Sequence, residues 1–276
     1  MTFKVSYVAF QTAADPTLTV AGKLCTPKLG PGEAEPGRTP GVVICHGSDG
    51  VDGRGDFHAA ALNAAGIATL EIDMWAARGT VRGAAARPGS VPQTLPDAFA
   101  AKRFLAAQPE IDPARVGIMG FSWGGVVTLL SATKRAVATF GPGEAPFAAH
   151  MALYPVCWAY ETVPGMTLAG LTGAPVLIQA GDADAYDDPD GLDQLLARLP
   201  AESRAIVRGV THKGAGHGFD RDQPAQTIVD PFSHKGAGGE VLMAFHPEAA
   251  AAARANTVTF FSEVFAREPG SPEAVA

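Results

Sequence analysis

The fold of this chain is decided by the stretch Gly120-Phe121-Ser122-Trp123-Gly124-Gly125. It follows an apolar run at residues 115–119 and precedes an apolar run of helical character at residues 126–130. The pattern predicts a strand, a tight turn and a helix, with Ser122 at the apex of the turn. We expect the glycines to permit a strained turn that exposes the serine oxygen, and the helix to direct free N–H groups toward it. We therefore interpret Ser122 as a nucleophile and not as an ordinary turn residue.

Short apolar runs recur along the chain. Residues 5–10 and 18–24 predict an opening antiparallel pair, and the fully apolar run at 41–45 predicts a parallel strand buried on both faces. Further strands are expected at residues 67–72, 116–119, 148–154, 175–180 and, as the last one, 205–210. Two stretches rich in Pro, Gly or Arg, at 27–40 and 73–92, are interpreted as surface loops.

Amphipathic segments lie between these runs. The first places Phe57, Ala60, Ala61, Ala64 and Ala65 on one helical face and ends at Gly66. Other helices are expected around residues 98–105, 126–130 and 192–199, and a closing helix begins at Pro247. The alternation of strands and helices predicts the α/β class: a doubly wound, mostly parallel sheet flanked by helices, in a single domain over residues 1–276.

Composition excludes several classes of protein. The chain is 47% hydrophobic with a net charge of -7 and no basic block, so neither nucleic acid nor an anionic membrane is expected as a partner. No apolar run approaches the roughly 18 to 20 residues that span a bilayer, and the start does not resemble a signal peptide. Cys25, Cys45 and Cys157 are too few and too scattered for disulfides or zinc. We expect a cytoplasmic protein without metal or cofactor; the sequence predicts no oligomeric state.

A serine nucleophile needs a base, and the base needs an orienting acid. His217 lies in the loop after the last predicted strand and is the preferred base over His212 of the same loop and His46 near the first parallel strand. The acidic turn at 181–189 follows another predicted strand, and Asp184 is the preferred acid, with Asp182 and Asp187 as alternatives. The order Ser, Asp, His is the one expected for an elbow serine in this fold.

The oxyanion formed by attack on a carbonyl needs N–H donors. The backbone amide of Trp123, directly after the nucleophile, is one candidate. The loop at residues 45–50 follows a predicted parallel strand and contains glycines that permit close approach, so the backbone of Ser48 is the second. We expect His46 to brace this loop by hydrogen bonding.

These motifs together resemble the dienelactone hydrolase family of α/β-hydrolases. The matching stretches are residues 45–50, 73–79, 112–125, 181–189 and 216–219. The resemblance implies the α/β-hydrolase fold, a catalytic triad of Ser122, Asp184 and His217, and an oxyanion hole formed by Ser48 and Trp123.

The chain departs from the namesake enzymes of that family at two positions. They carry a cysteine where this chain has Ser122, and a glutamate where it has Gly47. The resemblance therefore points to a serine esterase branch. Arg78 resembles an arginine that binds a substrate carboxylate in the namesake enzymes; alternatively, it ties its loop to a nearby acid such as Asp73.

The expected function is hydrolysis of a carboxylic ester or lactone through an acyl-enzyme on Ser122, with a small molecule as the binding partner. An amidase, carbamate hydrolase or peptidase would use the same triad, and a non-catalytic binding protein could keep the fold. Trp75, Trp123, Trp158 and Tyr160 are candidate walls of the substrate pocket, although aromatic residues near an elbow are also ordinary core.

Overall fold

The computed structural model describes residues 3–13, 16–28, 38–79 and 87–267. Eight strands form the main sheet in the order β1-β2-β4-β3-β5-β6-β7-β8. Their bounds are β1 Phe3–Gln11, β2 Thr19–Pro27, β3 Thr39–Cys45, β4 Ala68–Asp73, β5 Ile111–Phe121, β6 His150–Leu153, β7 Val176–Gly181 and β8 Val207–His212. β2 is antiparallel to both β1 and β4, and the strands from β4 to β8 run parallel. The predicted mostly parallel α/β sheet is confirmed.

Helices cover both faces of this sheet. The helical segments are α1 Gly53–Ala64, α2 Leu95–Ala106, α3 Trp123–Ser131, α4 Lys134–Phe140, α5 Gly191–Arg198, α6 Ala201–Arg204, the short turn α7 Ser233–Gly236, and α8 Pro247–Ala266. On β3, Val43 and Cys45 pack into a core with α2 and α3, whereas Val42 and Ile44 pack into a second core with α1 and α8. Burial on both faces explains why this strand is apolar without alternation.

The interpretation of residues 205–210 as the last strand was wrong. Two more strands, β9 Gln226–Asp230 and β10 Gly239–Met243, pair as an antiparallel hairpin outside the main sheet. Val229 and Leu242 on the outer side of this hairpin are exposed, so β9 and β10 lack the alternation of polar and apolar residues that marks a half-buried strand.

The predicted buried face of α1 was also wrong. Ala60, Ala64 and Ala65 are exposed, while the side of the helix that packs inward carries Arg54, Gly55, His58 and Leu62. A Cβ on Gly55 would lie 1.8 Å from Glu71 Oε1 of β4, so the helix approaches the sheet at a glycine. The inward side is largely polar, and apolar periodicity could not identify it.

Parts of the two predicted surface loops, residues 29–37 and 80–86, lie outside the described residues. Among the helices that the structure does describe, none combines the length and the apolar character needed to cross a bilayer.

Glu71 provides a test of the packing between α1 and β4. Its side chain is buried, and its Oε1 has no hydrogen-bond partner among the described residues. Burial raises the pKa of Glu71 to about 7; the neighbouring Asp56 raises it further and Lys23 opposes the shift. Between about pH 4.5 and pH 7 the folded state therefore holds a proton that the unfolded state has released, and the protein loses stability as pH rises through this window.

We predict that Glu71→Gln removes this loss. The free energy of unfolding of the variant, relative to the parent, should rise between pH 4.5 and pH 7.5 by at most about 3 kcal/mol. Urea denaturation at several pH values measures the difference, with Glu110→Gln as the control for a carboxylate without such burial. Parallel pH profiles for the parent and Glu71→Gln would contradict the prediction.

Candidate active site

Ser122 occupies a sharp turn between β5, which ends at Phe121, and α3, which begins at Trp123. Its φ of 50° and ψ of -110° are strained for a residue with a side chain. The neighbouring glycines serve a different purpose from the one predicted, since neither Gly120 nor Gly124 has a positive φ. A Cβ would lie 2.2 Å from Gly124 O if placed on Gly120, and 2.1 Å from Cys45 O if placed on Gly124. Glycine is needed at positions 120 and 124 because a side chain at either would collide with the neighbouring backbone.

Three side chains that are far apart in sequence form a continuous hydrogen-bonded chain. Ser122 Oγ lies 2.8 Å from His217 Nε2, and His217 Nδ1 lies 2.8 Å from Asp184 Oδ2. They follow β5, β8 and β7, whose carboxyl ends meet at one edge of the parallel sheet. A carboxylate at Nδ1 favours the tautomer that leaves Nε2 free to accept the serine proton.

The two alternative acids have other partners. Asp182 accepts a hydrogen bond from the backbone N–H of Gly214. Asp187 accepts hydrogen bonds of 2.6 Å from the backbone N–H groups of Cys157 and Trp158, and burial raises its pKa to about 6. Of the three candidate acids, Asp184 is the one whose carboxylate contacts a ring nitrogen of His217.

The loop at residues 45–50 is fixed from several sides. His46 Nδ1 donates to Gly47 O at 2.7 Å, and its Nε2 accepts the backbone N–H of Met74 at 2.9 Å. Burial lowers the pKa of His46 to about 4, which keeps the ring neutral in this bracing role. Trp75 Nε1 donates to Ser48 O at 2.9 Å. No protein group in the described part of the chain accepts the backbone N–H of Ser48 or of Trp123.

Arg54 occupies the space beside Gly47, the position at which the sequence departs from the namesake enzymes. A Cβ on Gly47 would lie 3.1 Å from Arg54 Nη2. The Arg54 side chain is buried, bonds both oxygens of Asp52 and donates to Tyr154 Oη at 3.3 Å. A guanidinium thus supports this loop from the side where a longer residue at position 47 would project.

Arg78 has the structural role that was the alternative in the sequence analysis, but with a different partner. Its guanidinium bonds both oxygens of the buried Asp97, at 2.6 and 3.2 Å, and donates to Met74 O and Gln93 O. The acid that ties down the loop is Asp97 of α2 and not Asp73. Asp73 instead accepts the backbone N–H groups of Trp75 and Ala76.

The four aromatic residues predicted as pocket walls lie in different surroundings. Tyr160 is fully buried and donates to Pro155 O at 3.2 Å, so it belongs to the core and that prediction was wrong. Trp75 is also buried; its ring meets that of Trp123 edge-on at 5.4 Å, beneath the loop at 45–50. Trp123 is half-buried beside Ser122. Trp158 is half-buried next to Gly236 of α7.

Sequence reasoning missed the residues that surround His217. Tyr186 stacks on the imidazole with ring centroids 4.1 Å apart, and Tyr154 meets it edge-on at 4.9 Å. Tyr186 lies in the same acidic turn as Asp184, so the sequence could have identified it as a neighbour of the site. Arg87 and Asp230, which form an ion pair at 2.9 Å near these groups, carried no local signal.

Metal chemistry has no obvious donor set here. Within residues 3–13, 16–28, 38–79 and 87–267, no group of three or more His, Cys, Asp or Glu side chains could hold a metal ion.

Comparison with known proteins gives relatives of several kinds. The uncharacterized protein MT2364 of Mycobacterium tuberculosis is 29% identical over 188 residues, which span 64% of this chain and 64% of that protein. The dienelactone hydrolase of Anabaena variabilis superposes with a TM-score of 0.59 at 19% identity, covering 95% of this chain and 99% of that one. Esterase 2 of Thermogutta terrifontis, phosphorylated by paraoxon, superposes with a TM-score of 0.64 at 16% identity, covering 94% of each chain.

The model of the dienelactone hydrolase family matches residues 29–265, which is most of the chain. The structural neighbours share the fold of this chain, a mostly parallel sheet flanked by helices, which is the α/β-hydrolase architecture. The family supports a hydrolytic enzyme. This chain belongs to the dienelactone hydrolase family.

Proposed function

We propose that this protein is a serine hydrolase that cleaves a carboxylic ester or lactone of a small molecule through an acyl-enzyme on Ser122. The observation that carries the proposal is the unbroken chain of 2.8 Å contacts from Ser122 Oγ through His217 to Asp184. An esterase of the same fold that paraoxon phosphorylates supports it by analogy. All three cysteines are free, which is compatible with action in a reducing compartment such as the cytoplasm.

The proposed reaction has two halves. His217 Nε2 takes the proton of Ser122 Oγ while the oxygen attacks the substrate carbonyl carbon, and the resulting oxyanion accepts the N–H groups of Ser48 and Trp123. The protonated imidazole then gives its proton to the leaving alkoxide, and the ester bond breaks. Water repeats the sequence on the acyl-enzyme, releasing the acid and restoring the serine. Asp184 remains ionised and stabilises the imidazolium.

The ester preference rests on the family and its esterase neighbour, since the same groups could cleave an amide, a carbamate or a peptide. A panel of aryl and alkyl esters, lactones and matched amides separates these possibilities. Faster turnover of amides than of esters with comparable acyl groups would show that the substrate is an amide. The assignment of Ser122 as the nucleophile would still stand.

We predict that Ser122→Ala loses turnover of the best ester by about 10⁴-fold or more, because the attacking oxygen is removed. Paraoxon should label the parent at Ser122, as seen by peptide mass spectrometry, and should release a stoichiometric amount of nitrophenolate. It should leave the variant unlabelled. Ser90→Ala is the matched control, since Ser90 is exposed and caps its 3-10 turn without a side-chain hydrogen bond. Turnover by Ser122→Ala at the parent rate would refute the assignment.

We predict that Asp184→Asn lowers kcat by roughly 10³- to 10⁴-fold, because an amide no longer holds the productive His217 tautomer or stabilises the imidazolium. Asp182→Asn should lower kcat less than about threefold, since Asp182 contacts the Gly214 amide and not the imidazole. Steady-state kinetics on both variants, with circular dichroism to verify folding, make the comparison. A larger loss for Asp182→Asn would contradict this choice of acid.

We predict that Arg78→Ala lowers the free energy of unfolding by about 3 kcal/mol, because it leaves the buried Asp97 carboxylate without its cation. Any change in KM should be the same for carboxylate-bearing and neutral esters, because the guanidinium is committed to protein acceptors. The double variant Arg78→Met, Asp97→Leu removes both charges and should recover part of the stability. A selective rise in KM for anionic esters would instead support the substrate-carboxylate hypothesis.

A further inference from the structure

The turn that carries Ser48 is held on two sides of that residue. Gly50 N–H donates to Gly47 O at 3.1 Å, which closes a tight turn with Ser48 as its first central residue. Trp75 Nε1 donates to Ser48 O at 2.9 Å, and Arg87 Nη1 donates to Ser48 Oγ at 3.1 Å. The carbonyl and the side chain of Ser48 are thus both fixed by other segments, whereas its backbone N–H has no acceptor among the protein groups that the structure describes.

Arg87 is itself held by the β9–β10 hairpin. Its Nη2 donates to Asp230 Oδ2 at 2.9 Å, and its guanidinium lies over the ring of Phe232 at 4.6 Å. The other carboxylate oxygen of Asp230 accepts the backbone N–H of Phe232 at 2.7 Å. With side-chain exposures of 9% for Arg87 and 5% for Asp230, the ion pair is nearly excluded from solvent, so water screens it little. The hairpin therefore fixes the guanidinium that reaches Ser48.

The guanidinium can transmit this position because it is a rigid, planar group. Two of its nitrogens are committed at once, Nη2 to Asp230 and Nη1 to Ser48 Oγ, so the location of the carboxylate sets the location of the serine hydroxyl. Gly47 O, which belongs to the same peptide group as the Ser48 N–H, is held by His46 Nδ1 at 2.7 Å. The direction of the Ser48 N–H is therefore determined from both of its neighbouring atoms.

We propose that Arg87 is a positioning residue for the oxyanion hole of the proposed hydrolysis. Anchored by Asp230, it holds the hydroxyl of Ser48 and thereby keeps the Ser48 N–H directed at the substrate oxyanion. This inference rests on the proposed function, in which that N–H is one of two donors. Removal of one oxyanion donor costs about 10²- to 10³-fold in kcat, so a donor that is present but displaced should cost a smaller, measurable factor.

The decisive variant is Ser48→Ala, which keeps the backbone N–H and removes only the hydroxyl that Arg87 holds. We expect kcat for the best ester to fall by about 10-fold, because the donor loses its alignment. KM should stay within about twofold, because the N–H acts on charge that develops after the substrate has bound. Steady-state kinetics on the parent and the variant measure both constants.

The anchor is tested from the other side by the double variant Arg87→Met, Asp230→Leu. This variant removes both buried charges together, so neither is left without a partner. We expect the same loss of kcat, about 10-fold. Combined with Ser48→Ala, the double variant should be no slower than Ser48→Ala alone, because all three changes break one link. Circular dichroism verifies that each variant is folded.

A sulfur-substituted substrate separates a misaligned donor from a generally loosened site. In the thionoester of the best ester, sulfur replaces the carbonyl oxygen, and the developing negative charge falls on an atom that is a weaker hydrogen-bond acceptor. We expect Ser48→Ala to lower kcat/KM by about 10-fold for the ester and by about twofold at most for the thionoester. A loosened site would slow both substrates by the same factor.

The matched control is Arg103→Met. Arg103 also pairs with a carboxylate, that of Glu144 at 2.9 Å, but at a partly exposed position on α2. It also donates to Phe140 O at the end of α4. Because exposed ion pairs contribute little, we expect kcat, KM and the ratio of ester to thionoester turnover to match those of the parent within about twofold.

Five results would overturn the inference. Two of them are parent-like kcat in Ser48→Ala and parent-like kcat in the double variant. The others are equal losses on ester and thionoester, multiplicative losses when all three changes are combined, and a loss in Arg103→Met as large as that in Ser48→Ala. A parent that neither turns over esters nor reacts with paraoxon refutes the proposed function, and the inference fails with it. An active parent with unaffected variants rejects the positioning role alone.

Discussion

The arrangement of the site depends on a backbone contact between the first turn of α3 and the end of β3. A Cβ on Gly124 would come within 2.1 Å of Cys45 O and 2.7 Å of His46 O. A side chain at this position would push the helix away from the loop at residues 45–50. The contact holds the first turn of α3, which begins at Trp123, against the start of the loop that contains Ser48, and a displacement of about 1 Å between them would disrupt the proposed oxyanion hole.

The strained backbone of Ser122 is maintained by hydrogen bonds on either side of it. A non-glycine residue in a sparsely populated backbone region costs on the order of 1–3 kcal/mol. Two hydrogen bonds fix the strained residue: Ser122 N–H donates to Leu153 O at 3.0 Å, and Ser122 O accepts from Val126 N–H at 2.9 Å. The turn is thus attached to β6 on one side and to its own helix on the other. These attachments hold the serine oxygen toward His217.

The main sheet and the three interacting side chains were predictable because each has a local signature. β3 is buried on both faces and reads as an unbroken apolar run, and Ser122, Asp184 and His217 each follow a strand of the sheet. The β9–β10 hairpin lacks such a signature, since exposed apolar residues on its outer face obscure the alternation. The ion pair between Arg87 and Asp230 joins residues 143 positions apart, and only the folded chain brings them together. The face of α1 was misassigned because it packs inward through polar groups and a glycine.

The glycine at position 47 is consistent with a serine rather than a cysteine at position 122. A serine hydroxyl is far less acidic than a thiol, so its deprotonation depends on a base that is already in contact. In the proposed mechanism His217 is that base, since its Nε2 lies 2.8 Å from Ser122 Oγ. The space beside Gly47 instead holds the Arg54 guanidinium, whose charge is balanced by Asp52. The positive charge of Arg54 also acts with burial to lower the pKa of His46, so the ring that braces the loop stays neutral. A neutral His46 can accept the Met74 N–H and donate to Gly47 O at the same time, and this pair of bonds fixes the loop on which Ser48 lies.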